Sequence, residues 1–207
     1  MGQRLQGITG ILIAGGRSKR MGQDKRRVEL GGQTLFERAL NVLQDLFEEV
    51  LVVLAEPDPG LPLQGARVVT DLIPNCATLG GLYTGLHHAK ASRIFAVGCD
   101  MPFLNRDAIT RMATLDAQAD VAMARLAIGL QPMHAVYSKA CLPHLERMAQ
   151  AQQLKVQELT RVEGLRVRLV EESALKTVDP QLLSFFNINT APDLEFARKL
   201  LASGGAW

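Results

Sequence analysis

Cysteine is scarce: Cys76, Cys99 and Cys141 are the only three in 207 residues. They are odd in number, far apart and form no C-x-x-C pair, which excludes a disulfide framework and a zinc knuckle. They read as reduced thiols of a cytoplasmic protein. Charge of one sign is lacking as well. The 23 basic and 21 acidic residues leave a formal net charge of +2, too small an excess for a general polyanion binder, so no nucleic-acid partner is expected. No apolar run approaches the ~18 residues that would cross a bilayer, and the run near the N-terminus is too short for a signal peptide. No membrane partner is expected either. Internal repeats and low-complexity blocks are also lacking.

What is present is an ordinary apolar fraction, 47%, enough for a substantial core, and residues 1–207 are expected to form one domain. Apolar, β-branched runs predict strands at 7–14, 49–55, 66–71, 93–100, 119–126, 133–138 and 165–171. Between them, helical spacing predicts helices at 34–47, 79–91, 105–115, 139–151 and 190–202, with a weaker one near 154–161. Thr34 and Glu37 form a capping-box signature at the start of the first helix. Nearly continuous apolar strands joined by crossover helices indicate an α/β class, a mainly parallel central sheet covered on both faces in three α/β/α layers. The stretch 57–65, PDPGLPLQG, is the expected linker loop inside the domain. In such sheets ligands bind beyond the carboxyl ends of the strands, and here those ends lead into Gly15–Arg27, Asp71 and Asp100.

The first of these is the most unusual. GITGILIA stops at Gly15-Gly16, and six basic residues follow between Arg17 and Arg27. Glycines after a strand let backbone N–H groups approach phosphate oxygens, and clustered cations would neutralise a triphosphate and its leaving pyrophosphate. Neither G-x-x-x-x-G-K-[ST] nor G-x-G-x-x-G fits the stretch. A solvated basic turn is the alternative. Asp100, closing AVGCD before an X-Pro turn, is a hard carboxylate suited to Mg²⁺; its alternative is a cap for the helix at 105–115. Asp71, closing ARVVTD, could accept hydrogen bonds from a nucleoside or cap the turn before Pro74. His87-His88 point about 100° apart on a helix and make a poor chelate.

Taken together, ILIAGGRSKRMGQDK, VVTDLIP, LGGLYTGL, GCDMPFL, QPMHAVYS and FFNINTAPDL resemble the molybdenum cofactor guanylyltransferase family, nucleotidyltransferases on a Rossmann-like sheet. The pieces stand in the family's order over positions 8–194. The resemblance implies transfer of GMP from GTP to the terminal phosphate of molybdenum-molybdopterin, with release of pyrophosphate and with Mg²⁺ as cofactor. It implies nucleotide contacts at Ile13, Ala14, Gly15, Gly16, Arg17, Ser18 and Asp71, a Gly80-Gly81 turn lining the base pocket, and phosphate-holding roles for Lys25 and Arg20. Asp100 is implied as the metal ligand, and His134, Asn187 and Asn189 as the pterin side, with a satisfied strand histidine as the alternative for His134. Transient contacts with cofactor-synthesis proteins and acceptor molybdoenzymes are implied as well.

Thr78 stands where the family usually has proline before Leu-Gly-Gly, and no Asn follows the second strand, where the chain reads Leu54-Ala55-Glu56. NTAPDL replaces NTPEDL, although Thr190 can still cap its helix with Asp193 three residues on. Rival readings are a cytidylyltransferase for the same cofactor, a sugar-phosphate nucleotidyltransferase, and a non-catalytic nucleotide sensor. No Ser/His or Cys/His pair is evident, and nucleotidyl transfer requires none, because positioning and charge neutralisation do the chemistry.

Overall fold

A computed structural model describes residues 4–15 and 24–204. Its strands are β1 (Ile8–Ile13), the short pair β2 (Glu29–Leu30) and β3 (Gln33–Thr34), β4 (Val50–Leu54), β5 (Arg67–Thr70), β6 (Arg93–Gly98), β7 (Val121–Leu126), β8 (Gly129–Ser138) and β9 (Val167–Glu171). The helices are α1 (Leu35–Leu46), α2 (Ala77–His88), α3 (Arg106–Thr114), α4 (Leu142–Gln150), α5 (Glu172–Lys176) and α6 (Ala191–Ala202). Seven strands form one sheet in the order β5-β4-β1-β6-β8-β7-β9, and β2 pairs with β3 in a separate hairpin. Only β8 runs against its neighbours β6 and β7; the remaining pairings in the sheet are parallel.

The buried strands divide their side chains between two faces, as a period of two requires. Leu12, Val52, Phe95 and Val97 pack beneath α1 and α3. Ile11, Leu51, Val53, Ile94 and Ala96 pack against α2 and α4. Two close approaches shape these layers. A Cβ on Gly10 would meet the Phe47 ring at 2.7 Å, so the glycine lets that ring lie against β1. On the other face, Cβ atoms on Gly81 and Gly85 would meet Ile13 and Ile11 at 2.9 Å each, and this one-turn glycine pair seats α2 directly on β1.

The expected α1 begins with both halves of its capping box, Thr34 Oγ1 accepting from Glu37 N at 3.2 Å and Glu37 Oε2 from Thr34 N at 2.8 Å. Three expectations change. Residues 156–161 form a 3-10 helix, not an α-helix. The strand expected at 133–138 begins at Gly129 and carries a bulge: Met123 pairs with Ala135 but Ala124 with Gln131, so residues 132–134 stand out of register. The β2–β3 hairpin and α5 were not expected, because elements of two to five residues are too short to display a period.

Candidate active site

The chain runs from β1 to β4 and β5 on one side, then crosses to β6 on the other, so the order reverses between β1 and β6. Ligands of open α/β sheets bind beyond the carboxyl ends at such a reversal. The strand ends there are level: Ile13 pairs with both Val53 and Gly98, and Leu54 pairs with Thr70. Ala14 N donates to Val53 O at 2.9 Å, and Cys99 N to Ile13 O at 3.3 Å. The exposed Gly15 follows, and a Cβ on it would meet Ala55 N at 2.9 Å, so only glycine lets the chain leave β1 this close to β4.

Asp100 stands two residues past the end of β6. A Cβ on Gly98 would lie 2.6 Å from Asp100 Oδ1, so this glycine makes room for the carboxylate. Lys25 Nζ donates to Asp100 Oδ2 at 3.0 Å and to Asn189 Oδ1 at 2.8 Å. Residues far apart in the chain therefore meet around one largely buried lysine side chain, 15% exposed. The main chain reinforces the junction, with Ile188 N donating to Asp100 O at 2.9 Å. Asp100 does not cap α3. That cap is Asn105, whose side chain accepts from Asp107 N at 2.9 Å and Ala108 N at 3.0 Å. Cys99 beside it is half-buried, and burial, with the Asp100 charge adding to it, pushes its thiol up to about 12. It is therefore a poor nucleophile.

Much of the basic cluster has other partners. Arg26 donates to both oxygens of Asp24, at 3.0 and 2.6 Å, and lies 3.3 Å from Asp58. Arg27 reaches Asp58 at 3.0 Å. The Arg26 guanidinium accordingly holds the Asp24 carboxyl below its ordinary range. These pairs fasten the end of the basic stretch to the proline-rich loop at 57–65, a function that the composition of the loop did not signal. Gly16, Arg17, Ser18 and Arg20 lie outside the described residues. Arg38 on α1 was not anticipated. Its Nε donates to Pro102 O at 3.2 Å and its Nη1 to Leu30 O at 3.3 Å, which ties the turn after Asp100 to the hairpin. A lone cation beside the apolar stripe of α1 was the available signal.

Asp71 accepts from Ile73 N at 3.0 Å and from the Thr84 hydroxyl at 3.0 Å, so it caps the turn into α2. Gly80 and Gly81 are not a turn. Both are buried within α2, where a Cβ on Gly80 would lie 2.6 Å from Ile73 O and 2.8 Å from Asp71 Oδ2. Thr78 sits in the first turn of this helix. A first turn needs no N–H donor, so proline and threonine can exchange there.

His134 is fully buried in the bulge of β8, with φ at 84°. Its ring lies 5.1 Å from that of Phe95 and 4.4 Å from that of Phe185, and the Tyr137 hydroxyl pins the bulge by donating to Pro132 O at 2.6 Å. Neither ring nitrogen has a hydrogen-bond partner among the described residues. His134 thus does not open onto the crevice; it supports Phe185 from beneath. Asn187 is half-buried and donates to Phe185 O at 2.9 Å, and Asn189 is exposed apart from its grip on Lys25.

Residues 10–167 match the family model described as a MobA-like NTP transferase domain. The chain belongs to the MobA-like NTP transferase family. This nucleotidyltransferase is 38% identical over 190 residues to a probable molybdenum cofactor guanylyltransferase of Pelotomaculum thermopropionicum, covering 92% of this chain and 91% of that one. Its fold matches that of molybdopterin-guanine dinucleotide biosynthesis protein A from Archaeoglobus fulgidus, with a TM-score of 0.79, 24% identity and coverage of 94% and 99%. A Mycobacterium tuberculosis protein solved in complex with manganese also shares the fold, with a TM-score of 0.69 at 18% identity and coverage of 94% and 99%.

The donor set is compatible with a divalent cation held mainly by substrate. Among the described residues no cluster of three His, Cys, Asp or Glu side chains could cage a metal. Magnesium in nucleotide sites commonly takes one or two carboxylates and completes its shell with phosphates and water. Asp100 Oδ2 already accepts a hard cation, the Lys25 ammonium, at 3.0 Å, and Gly98 keeps the space beside Oδ1 open. No helix among the described residues is long and apolar enough to cross a membrane.

Proposed function

We propose that this MobA-like transferase moves GMP from GTP to the terminal phosphate of molybdenum-molybdopterin, with residues 1–207 acting as one catalytic unit. A phosphate oxygen of the acceptor forms a bond to the α-phosphorus of GTP. The bond from that phosphorus to the oxygen bridging to the β-phosphate breaks, and pyrophosphate leaves with the electron pair. The observation that carries this reading is the meeting of Lys25, Asp100 and Asn189 at the reversal point between β1 and β6. It puts a cation, a hard carboxylate and a neutral amide where a triphosphate would lie.

In this reading Ile13, Ala14 and Gly15 present backbone to the nucleotide, continued by Gly16, Arg17 and Ser18. Asp71 and the Gly80-Gly81 start of α2 form the wall toward the nucleoside. Lys25 and Arg20 hold phosphates, and Asp100 would hold Mg²⁺. The bound ion would neutralise charge developing on the phosphates. Asn187 and Asn189 face the pterin side, supported by Phe185 and His134 behind them. GTP and the molybdopterin cofactor are the partners, with brief contacts to cofactor-synthesis proteins and acceptor molybdoenzymes, in the cytoplasm. Guanylyl rather than cytidylyl transfer follows the assignment of the relative above.

The test is pyrophosphate release from purified protein given molybdenum-molybdopterin, Mg²⁺ and either GTP or CTP. Release with GTP and little with CTP is the expected result. Preference for CTP would overturn the guanylyl assignment, and tight GTP binding without pyrophosphate would favour a sensor.

A further inference from the structure

Asn189 is placed with unusual redundancy for an exposed residue. Its N–H donates to Asp193 Oδ2 at 2.9 Å, and Thr190 N donates to the same oxygen at 2.8 Å. Thr190 Oγ1 in return accepts from Asp193 N at 3.3 Å, which completes the capping box of α6. The preceding Ile188 is buried and tied by its N–H to Asp100 O. The N–H groups of Ile188, Asn189 and Thr190 are thus anchored to the end of β6 or to a helix start. The side chain itself directs Oδ1 to Lys25 Nζ at 2.8 Å.

The two acceptors on Lys25 differ in kind. Asp100 is an anion and would lose its hold on the ammonium if a cation took its oxygen. Asn189 is neutral, so it fixes where the ammonium stands without cancelling its charge. An ammonium has three donors, and beyond these two acceptors one direction remains for a phosphate oxygen among the described residues. The base of Lys25 is held independently, in a 3-10 turn whose Asp24 cap also carries Arg26. A flexible four-carbon stem lies between two fixed ends.

We propose that Asn189 is a positioning residue for the nucleotide phosphates: it acts through Lys25, holding that ammonium in phosphate-binding register, in addition to any contact with the acceptor. This deepens the proposed function and rests on its assignment of Lys25 to the phosphates. If Asn189 works through Lys25, removing it matters only while Lys25 is present, and a double-mutant cycle measures that dependence.

The probe is inorganic tripolyphosphate, which carries no base and no pterin, titrated calorimetrically into the full chain with EDTA present. Asn189→Ala weakens binding about tenfold, the low end for a hydrogen bond to a charged group, and has no further effect in the Lys25→Ala background. Asn189→Asp, nearly isosteric but anionic, weakens binding at least as much by neutralising the ammonium, which simple loss of shape would not predict. Equal losses from Asn189→Ala in both backgrounds, or no loss in either, would overturn the proposal. A wild-type chain that fails to bind tripolyphosphate would remove the phosphate role of Lys25 and this inference with it. A switch from GTP to CTP in the transfer assay would leave the cycle unchanged.

Discussion

His134 makes the fold acid-sensitive by an amount that can be worked out. The ring is buried between Phe95 and Phe185 with neither nitrogen partnered among the described residues. Burial strips solvent from the cationic form and lowers its pKa from 6.5 to about 3. In the unfolded chain the ring titrates at its ordinary value. Above pH 6.5 neither state is charged and the site costs nothing; as pH falls, the unfolded chain takes up a proton that the folded one refuses. Stability therefore drops through the window from about 6.5 to about 3, by roughly 1.4 kcal/mol per pH unit in its steep part. Between pH 7.5 and pH 5 this amounts to about 2 kcal/mol.

The perturbation is His134→Phe, which keeps an aromatic ring in the stack and removes the titration. Urea unfolding of both proteins at pH 7.5, 6 and 5 gives the comparison. Wild type should lose about 2 kcal/mol more than the variant over that range. The remaining histidines are common to both proteins, so whatever they contribute cancels. The difference in pH slope is the readout, so any change in packing or in strain at the positive φ drops out. Parallel slopes would refute the argument and mean that His134 is solvated or partnered in solution.

Other outcomes follow from single contacts. Gly98→Ala sets a methyl 2.6 Å from Asp100 Oδ1 and should cut pyrophosphate release on the order of 10²-fold, as a 1 Å misplacement can, while far-UV circular dichroism stays native. Gly81→Ala presses against Ile13 at 2.9 Å and should cost about 1–3 kcal/mol in urea unfolding; an unchanged midpoint would mean that α2 lifts freely from β1. Asp193→Ala removes the acceptor shared by Asn189 and Thr190 and should cost about 1 kcal/mol, as a lost cap does. The same variant should weaken tripolyphosphate binding in the direction of Asn189→Ala, which calorimetry reads directly. Asp100→Ala should abolish transfer with the melting temperature nearly kept, and wild-type turnover would remove its metal role.

Local patterns carried most of the architecture. The run ITGILI is apolar on both faces and could only be an inner strand, and Thr34 with Glu37 marked the start of α1 to the residue. The same reasoning singled out Asp100 and the basic stretch holding Lys25 as candidates, because each follows a strand or glycine loop at a carboxyl edge, and the fold brings the two side chains together. It did not find Asp58 or Arg38, which matter only through partners distant in sequence. Helical spacing rightly put Gly80 and Gly81 in a helix, whereas the turn that the family resemblance implied for them is absent, because the pair serves close helix-to-strand packing. For His134 the resemblance pointed to the pterin side and the residue itself to a strand histidine; the bulge at 132–134 turns it into the core.

The sequence by itself determined the α/β class, the strand ends that could carry chemistry and the family, since all three depend on short-range periodicity and on motifs a few residues long. Tertiary structure alone decided that β8 enters the sheet antiparallel, that Arg26 and Arg27 serve ion pairs, and that Lys25 lies between Asp100 and Asn189. Pairings across 75 and 164 positions leave no local pattern, because they form only when strand order and helix caps bring the partners together.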